Sequence, residues 1–254
     1  ITAAQDELFT RKNNRFDISN WIPSKYWEFP FRVYAYQGVE YDAIVKSFTV
    51  GKGATYSIDT DLIIDEGVTI TVEDGGVLMV DRGLLNNGKI IVKNGGTVIV
   101  NEGGYIMAYD KNALGEITLD GGNLVIMDGA KVICDQSGGS LLAENGATIL
   151  NRGLLMVGNM LIMNKNAVLK NESNAMLLLG GRIARGRGSI GLFAFDEIVS
   201  RVENKRFGYL LSQNAKIINK GAISEPDPKY VTIKYSADAQ ANIKHVGNGH
   251  VDTR

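Results

Sequence analysis

Between residues 89 and 147 apolar runs and polar closures alternate on a beat of about eight residues: KIIVKNGG, TVIVNEGG, EITLDGG, NLVIMDGA, KVICDQSGG and SLLAENGA. Each run is β-branched or aliphatic, which is strand chemistry. Each closes on Asp, Asn or Glu near Gly, which is turn chemistry. A longer period lies over the short one. Residues 80 to 107 align without a gap against 150 to 177, at an offset of 70, with Arg82, Gly83, Leu84, Leu85 and Gly88 matching Arg152, Gly153, Leu154, Leu155 and Gly158. That offset is close to three coils of about 23 residues, each built of three short strands and their corners, the size of a parallel solenoid coil.

Antiparallel hairpins are the competing reading, because Asn-Gly and Asp-Gly pairs at 94–95, 145–146, 74–75, 120–121 and 128–129 suit two-residue hairpin turns. Repetition of whole coils and near-continuous apolar runs favour parallel strands instead. A six-residue period is absent, which points to a right-handed, three-sheet helix. Over residues 50–192 the pattern resembles the bacterial right-handed parallel β-helix, or β-solenoid, proteins. The resemblance is one of repeat pattern and implies an all-β fold.

The second and fourth residues of each run are expected to face inward: Ile90 and Val92, Val98 and Val100, Leu124 and Ile126, Val132 and Cys134, Leu141 and Ala143. The residue between them then faces outward, yet it too is apolar, at Ile91, Ile99, Val125, Ile133 and Leu142. An outer face open to water normally carries Thr, Lys or Asp there. These five positions are therefore the candidate partner surface, unless the chain's own flanks cover them.

The flanks divide the chain into an N-terminal aromatic capping segment over 1–56, the solenoid over 57–192 and a C-terminal part over 193–254. The first holds both tryptophans, five of ten tyrosines and five of eight phenylalanines, which suits a cap or side layer over an end that otherwise exposes strand edges. In the last, residues 194–213 space Ile198, Val199, Val202 and Leu210 as a helix, with Asp196 and Glu197 in its first turn. An edge strand is expected from Lys229, and roughly the last dozen residues are expected to fray.

Composition narrows the function classes. With 27 basic and 28 acidic side chains there is no global electrostatic attraction to nucleic acid, and no apolar stretch is long enough to span a bilayer. The single cysteine, Cys134, excludes an intramolecular disulfide and a multi-cysteine zinc site, and its place in KVICDQ is that of a small core residue. The start at Ile1 in place of Met points to a trimmed secretory leader.

Three motifs carry candidate chemistry. Gly186, Gly188 and Gly191 match a dinucleotide fingerprint in form, but no β-α-β unit surrounds them, so they read as a glycine-rich corner. Arg182, Arg185 and Arg187 in the same corner, with Arg201, Lys205 and Arg206 beyond, form a candidate anion site for a sulfate, a carboxylate or an acidic sugar. Asp65, Glu66, Glu73, Asp74, Asp81, Glu102, Asp120, Asp128, Asp135 and Glu144 mostly precede a glycine, where a corner role explains them without catalysis.

The Asn-Thr-Asp, paired Asp, Gly-His-Gly and Arg-Ile-Lys segments of pectin-degrading β-helix hydrolases are missing. Asp59, Thr60 and Asp61 come nearest to the first. His245 and His250 read as tail residues. No catalytic residue, metal ligand or cofactor is assigned. The expected function is a non-enzymatic secreted or cell-surface solenoid module, acting in adhesion, interaction or spacing. A protein or carbohydrate partner is expected, with no nucleic acid, and oligomers could form through the apolar face. The alternatives are a polysaccharide-binding or polysaccharide-cleaving β-helix protein and a self-assembling scaffold.

Overall fold

A computed structural model describes residues 33–36, 39–108, 115–135, 139–180, 182–184, 197–199, 208–225, 243–245 and 250–253. Within them the apolar runs form strands of three to six residues. The first coil is Phe48–Val50, Thr55–Ile58 and Leu62–Ile64. The second is Thr69–Val72, Val77–Val80 and Gly83–Asn86, and the third Lys89–Lys93, Thr97–Val100 and Tyr105–Ala108. Glu116–Asp120, Asn123–Ile126 and Lys131–Cys134 make the fourth; Ser140–Glu144, Thr148–Asn151 and Leu154–Val157 the fifth. The sixth is Met160–Met163, Val168–Asn171 and Met176–Leu179, and a seventh follows at Gly208–Leu211, Lys216–Asn219 and Ala222–Glu225.

The first strands of the coils form a seven-stranded sheet, and the second strands, with Ile243–His245, an eight-stranded one. The third strands form a ten-stranded sheet, extended by Val33–Tyr36 and Val39–Ile44 at one end and His250–Thr253 at the other. The molecule is an all-β, right-handed parallel β-solenoid. Hairpins are confined, among the described residues, to Val33–Tyr36 with Val39–Ile44 and Arg182–Ala184 with Glu197–Val199.

Alternation along each strand sends the second and fourth residues inward, and all ten positions expected to face inward are buried in one continuous core. Parallel, in-register pairing stacks like on like: Ile90 lies between Ile70 and Ile117, and Val98 between Leu78 and Leu124. The stacking corrects the long repeat. Gly83 stacks on Tyr105, Lys131 and then Leu154, so three coils separate positions 83 and 154, not 83 and 153. The sequence match at 70 is slipped by one residue, and such a slip would turn Leu154 inward in place of Leu155.

The core becomes polar at one corner of the later coils. Asn151, Asn171 and Asn219 are fully buried at the ends of successive strands of the eight-stranded sheet. Asn151 Nδ2 donates to Asn171 Oδ1 at 2.7 Å and to the Met176 carbonyl at 2.9 Å. Asn171 Nδ2 donates to Asn219 Oδ1 at 2.8 Å and to the Ala222 carbonyl at 3.0 Å. A buried amide stays favourable only when its donors are used, and here they bind one coil to the next.

At the corner between the seven- and eight-stranded sheets, Gly95 takes φ +79°. In the fifth to seventh coils Asn145, Asn166 and Asn214 adopt positive φ at the same corner, a conformation Asn tolerates, and the coil geometry imposes it also on Lys165 and Gln213, which otherwise avoid it.

Two terminal expectations change. The described parts of the segment expected to be helical, Glu197–Val199 and Gly208–Leu211, are strands, because each finds a partner: Arg182–Ala184 for the first and Met160–Met163 for the second. Pairing with an existing edge outweighs a local helical period. The expected frayed end holds Ile243–His245 and His250–Thr253, which add strands to two sheets. Solenoid strands also precede residue 57 and follow residue 192, past both expected boundaries. Most of the expected aromatic cap, residues 1–32, and the strand expected from Lys229 lie outside the described residues.

Candidate functional site

With three strands per coil, successive runs in the sequence belong to different faces, so the outward third residues form three columns. On the seven-stranded sheet the column runs through Thr71, Ile91, Thr118, Leu142 and Ile162. Met79, Ile99, Val125, Leu150 and Lys170 form that of the eight-stranded sheet. The ten-stranded sheet carries Ala43, Ile63, Leu85, Met107, Ile133, Met156 and Leu178. The five positions expected to form one ladder are thus divided. Ile99 and Val125 are adjacent, Ile91 and Leu142 flank Thr118, and Ile133 stands apart on the third face.

The three columns differ in cover. Ile91, Ile99, Val125 and Leu142 are half-buried, the state that stacking neighbours above and below produce by themselves. Ile133 is 0% exposed, and its whole column is a second hydrophobic cluster, separate from the interior, with Val45, Tyr105 and Leu154 packed against it. Ile133 is therefore sealed, while the other four positions remain at the surface. Reading every third run exposes most of this column in the sequence, since the outward residue of LII, GLLN, YIMA, KVIC, LLMV and MLLL is apolar, and the pattern ends at the next run, AISE, where Ser224 is in register with Leu178. Beside it lies a more open column in which Met176 is exposed.

Charged side chains tie coils together. Lys89 and Glu116 are 3.4 Å apart, Lys165 and Glu144 3.4 Å, and Lys220 and Glu172 3.1 Å, each pair joining adjacent coils. All are partly exposed, so each contributes at most about 1 kcal/mol. Several expected corner carboxylates do accept corner hydrogen bonds. Asp65 Oδ1 accepts from the Glu66 N–H at 3.0 Å, Asp81 Oδ1 from Asn101 Nδ2 at 2.6 Å, and Asp120 Oδ1 from Asn145 Nδ2. Asp61, in the run nearest to a hydrolase motif, accepts the Gly83 N–H at 2.8 Å. No group of three or more His, Cys, Asp or Glu among the described residues is placed to hold a metal ion.

Among the described residues, two titratable groups are strongly perturbed, both by burial. The Cys134 thiol is pushed up to about 12, first by desolvation and then by the neighbouring Asp135 carboxylate. This is the chemistry of a core residue and opposes reactivity as a thiolate. The Tyr56 phenol is raised as well, by desolvation and then by Asp59. It faces the interior of the first coil against Phe48, with ring centroids 4.8 Å apart.

Of the candidate anion site, Arg182 opens the strand Arg182–Ala184, opposite Val199. Arg185, Arg187, Arg201, Lys205 and Arg206 lie outside the described residues, as do Gly186, Gly188 and Gly191. His245 and His250 hold strand positions in register with Asn219 and Ala222. No helix among the described residues is long and apolar enough to cross a membrane.

No family model matches the chain, and no curated protein matches it. Among solved structures it is similar to the crystal structure of a TibC-catalysed hyper-glycosylated TibA fragment, at 15% identity and a TM-score of 0.23, over 84% of this chain and 79% of that one. The fold assignment rests on the strand order and registers of the chain itself.

Proposed function

We propose that this chain is a non-enzymatic solenoid module of bacterial type, secreted or displayed at the cell surface, that acts as an adhesion, interaction or spacer scaffold. The observation that supports it is the position of the length variation between coils. The two corners flanking the eight-stranded sheet take at most four residues in every one of the seven coils. The third corner, from the ten-stranded sheet to the next seven-stranded one, takes two residues at 87–88 but seven at 109–115, five at 135–139 and 28 at 180–207. Repeat scaffolds concentrate insertions on one side, often the side that meets a partner, while regular stacking elsewhere keeps the spacing fixed.

Such a rod has two kinds of contact to offer: the inserted corner and the half-buried aliphatic columns. On the eight-stranded sheet Ile99 and Val125 are adjacent and supply the apolar contact of the proposal. The partner is a protein or a carbohydrate. Binding of the purified chain to a panel of surface proteins and oligosaccharides tests this reading. Saturable binding weakened at least tenfold by Ile99→Asp supports it, whereas cleavage of any oligosaccharide replaces it with the enzymatic alternative. Growth of mass with concentration in light scattering, abolished by Ile99→Asp, replaces it with self-assembly. Protease treatment of intact producing cells checks the compartment: release of the module supports surface display, and full protection with no secreted material refutes it.

A further inference from the structure

We propose that Asn94–Gly95 is a site of spontaneous deamidation, singled out from the other Asn-Gly pairs of the solenoid by a shortened corner in the neighbouring coil. The registers show the shortening. Lys93 pairs with Asp120 and Thr97 with Asn123, so residues 94–96 of the third coil face only 121–122 of the fourth. The fifth coil again sets a longer turn, 145–147, against the same two residues.

Elsewhere along this corner the turn of one coil is bonded to that of the next. The Gly53 N–H donates to the Gly75 carbonyl at 2.9 Å, Gly75 to Gly95 at 3.1 Å, Gly121 to Glu144 at 2.9 Å and Gly146 to Lys165 at 2.8 Å. At the short turn the series is interrupted, and the Gly95 N–H finds no acceptor among the described residues. Asn94 and Gly95 are both exposed. Water thus reaches the backbone nitrogen and the side-chain amide together.

Deamidation needs both groups free. The Gly95 nitrogen loses its proton to hydroxide and attacks Asn94 Cγ. The N–Cγ bond forms, the Cγ–Nδ2 bond breaks, and the amide nitrogen leaves as ammonia after taking a proton from water. Water then opens the cyclic imide at either carbonyl, giving Asp or isoaspartate, so the sum is one water consumed and one ammonia released. A glycine after Asn carries no side chain to obstruct ring closure, and Asn is among the chemically labile residues. Asn87–Gly88 and Asn145–Gly146 have the same two residues, but the fold protects them. Asn145 Nδ2 is held by Asp120 Oδ1, and the Gly146 N–H by the Lys165 carbonyl. Asn87 Oδ1 is buried, and Gly88 is packed so closely against the Val68 and Asp65 carbonyls that a Cβ would not fit. Asn248–Gly249 lies outside the described residues. Deamidation at 94 adds a carboxylate to a corner where the Asp74 carboxylate already stands against Gly95.

Incubation of the full-length chain at mildly alkaline pH, followed by peptide mass spectrometry, reads amide-to-acid conversion separately at each pair. In the folded chain Asn94 is expected to convert at least tenfold faster than Asn87 or Asn145. In urea the three rates are expected to converge, because the unfolded chain gives every pair the same access to water and the same freedom to close the ring. A native rate at Asn94 no faster than that at Asn145 overturns the proposal. A preference for Asn94 that persists undiminished in urea overturns it too, by assigning the reactivity to the local sequence in place of the interrupted corner.

Discussion

At the scale of single residues, Asn171 and Cys134 show what the interior demands. Asn171 is fully buried, accepts from Asn151 and donates to Asn219 and to a backbone carbonyl. Replacement by Leu fills the space but leaves buried amide groups on two neighbouring coils without this partner. Such a loss costs about 2 kcal/mol, and the midpoint of urea unfolding is expected to fall accordingly, whereas an unchanged midpoint would show that the ladder contributes nothing net. Cys134 stacks between Ala108 and Val157 and is held protonated by its surroundings. Its pKa is raised from 9.0 to about 12 on folding. The stability this contributes is complete below pH 9 and declines as pH rises from there toward 12. Cys134→Val is expected to flatten that alkaline decline. In the native protein a thiol reagent at pH 8 is expected to leave Cys134 unmodified until denaturant is added.

At the scale of strands and faces, the outward third position has two energetic meanings. On the eight-stranded sheet Ile99 is half-buried, and Asp there keeps access to water, so the substitution is expected to cost about 1 kcal/mol, mostly as lost apolar burial. On the ten-stranded sheet Ile133 is sealed, and Asp would place an unpaired carboxylate where water is excluded, at a cost of about 4 kcal/mol or more. Thermal melts of the two variants are expected to separate clearly, with Ile133→Asp much the less stable. Equal melting temperatures would mean that the ten-stranded face is open in solution. Ile133 is therefore a poor probe of any partner contact, and Ile99 is the useful one.

At the scale of the whole molecule, each coil touches only its neighbours, so stability is set by coil-to-coil interfaces and is least where an interface is missing. The middle coils have strands above and below on all three sheets. Among the described residues, Phe48–Val50 has a strand partner on one side only, and Thr55–Ile58 likewise. Native-state hydrogen exchange is expected to be slowest in Asn123–Ile126 and Thr148–Asn151 and faster in Phe48–Val50. Uniform protection from end to end would show that the first coil is closed by another part of the chain as tightly as the middle coils close one another.

The sequence by itself determined the coil. Period-two alternation in runs such as TVIV and NLVI selects one buried face, and the polar closures near glycine end each run after about four residues. These are local preferences, and they made the inward residues legible. Only the tertiary structure decided which outward residues are neighbours, because contact across a parallel sheet joins residues one coil, or 20 to 48 positions, apart, and insertions at one corner keep that spacing from being constant. For the same reason Asn151 and Asn171 look like turn residues in the sequence and become core hydrogen-bond partners in the fold. The C-terminal helical spacing was outweighed likewise, since the free strand edge it meets is absent from any local window. The apolar third positions were visible as a pattern, but their division into two half-open faces and one sealed face is decided only in three dimensions, where stacking sets the columns and burial separates one of them from the other two.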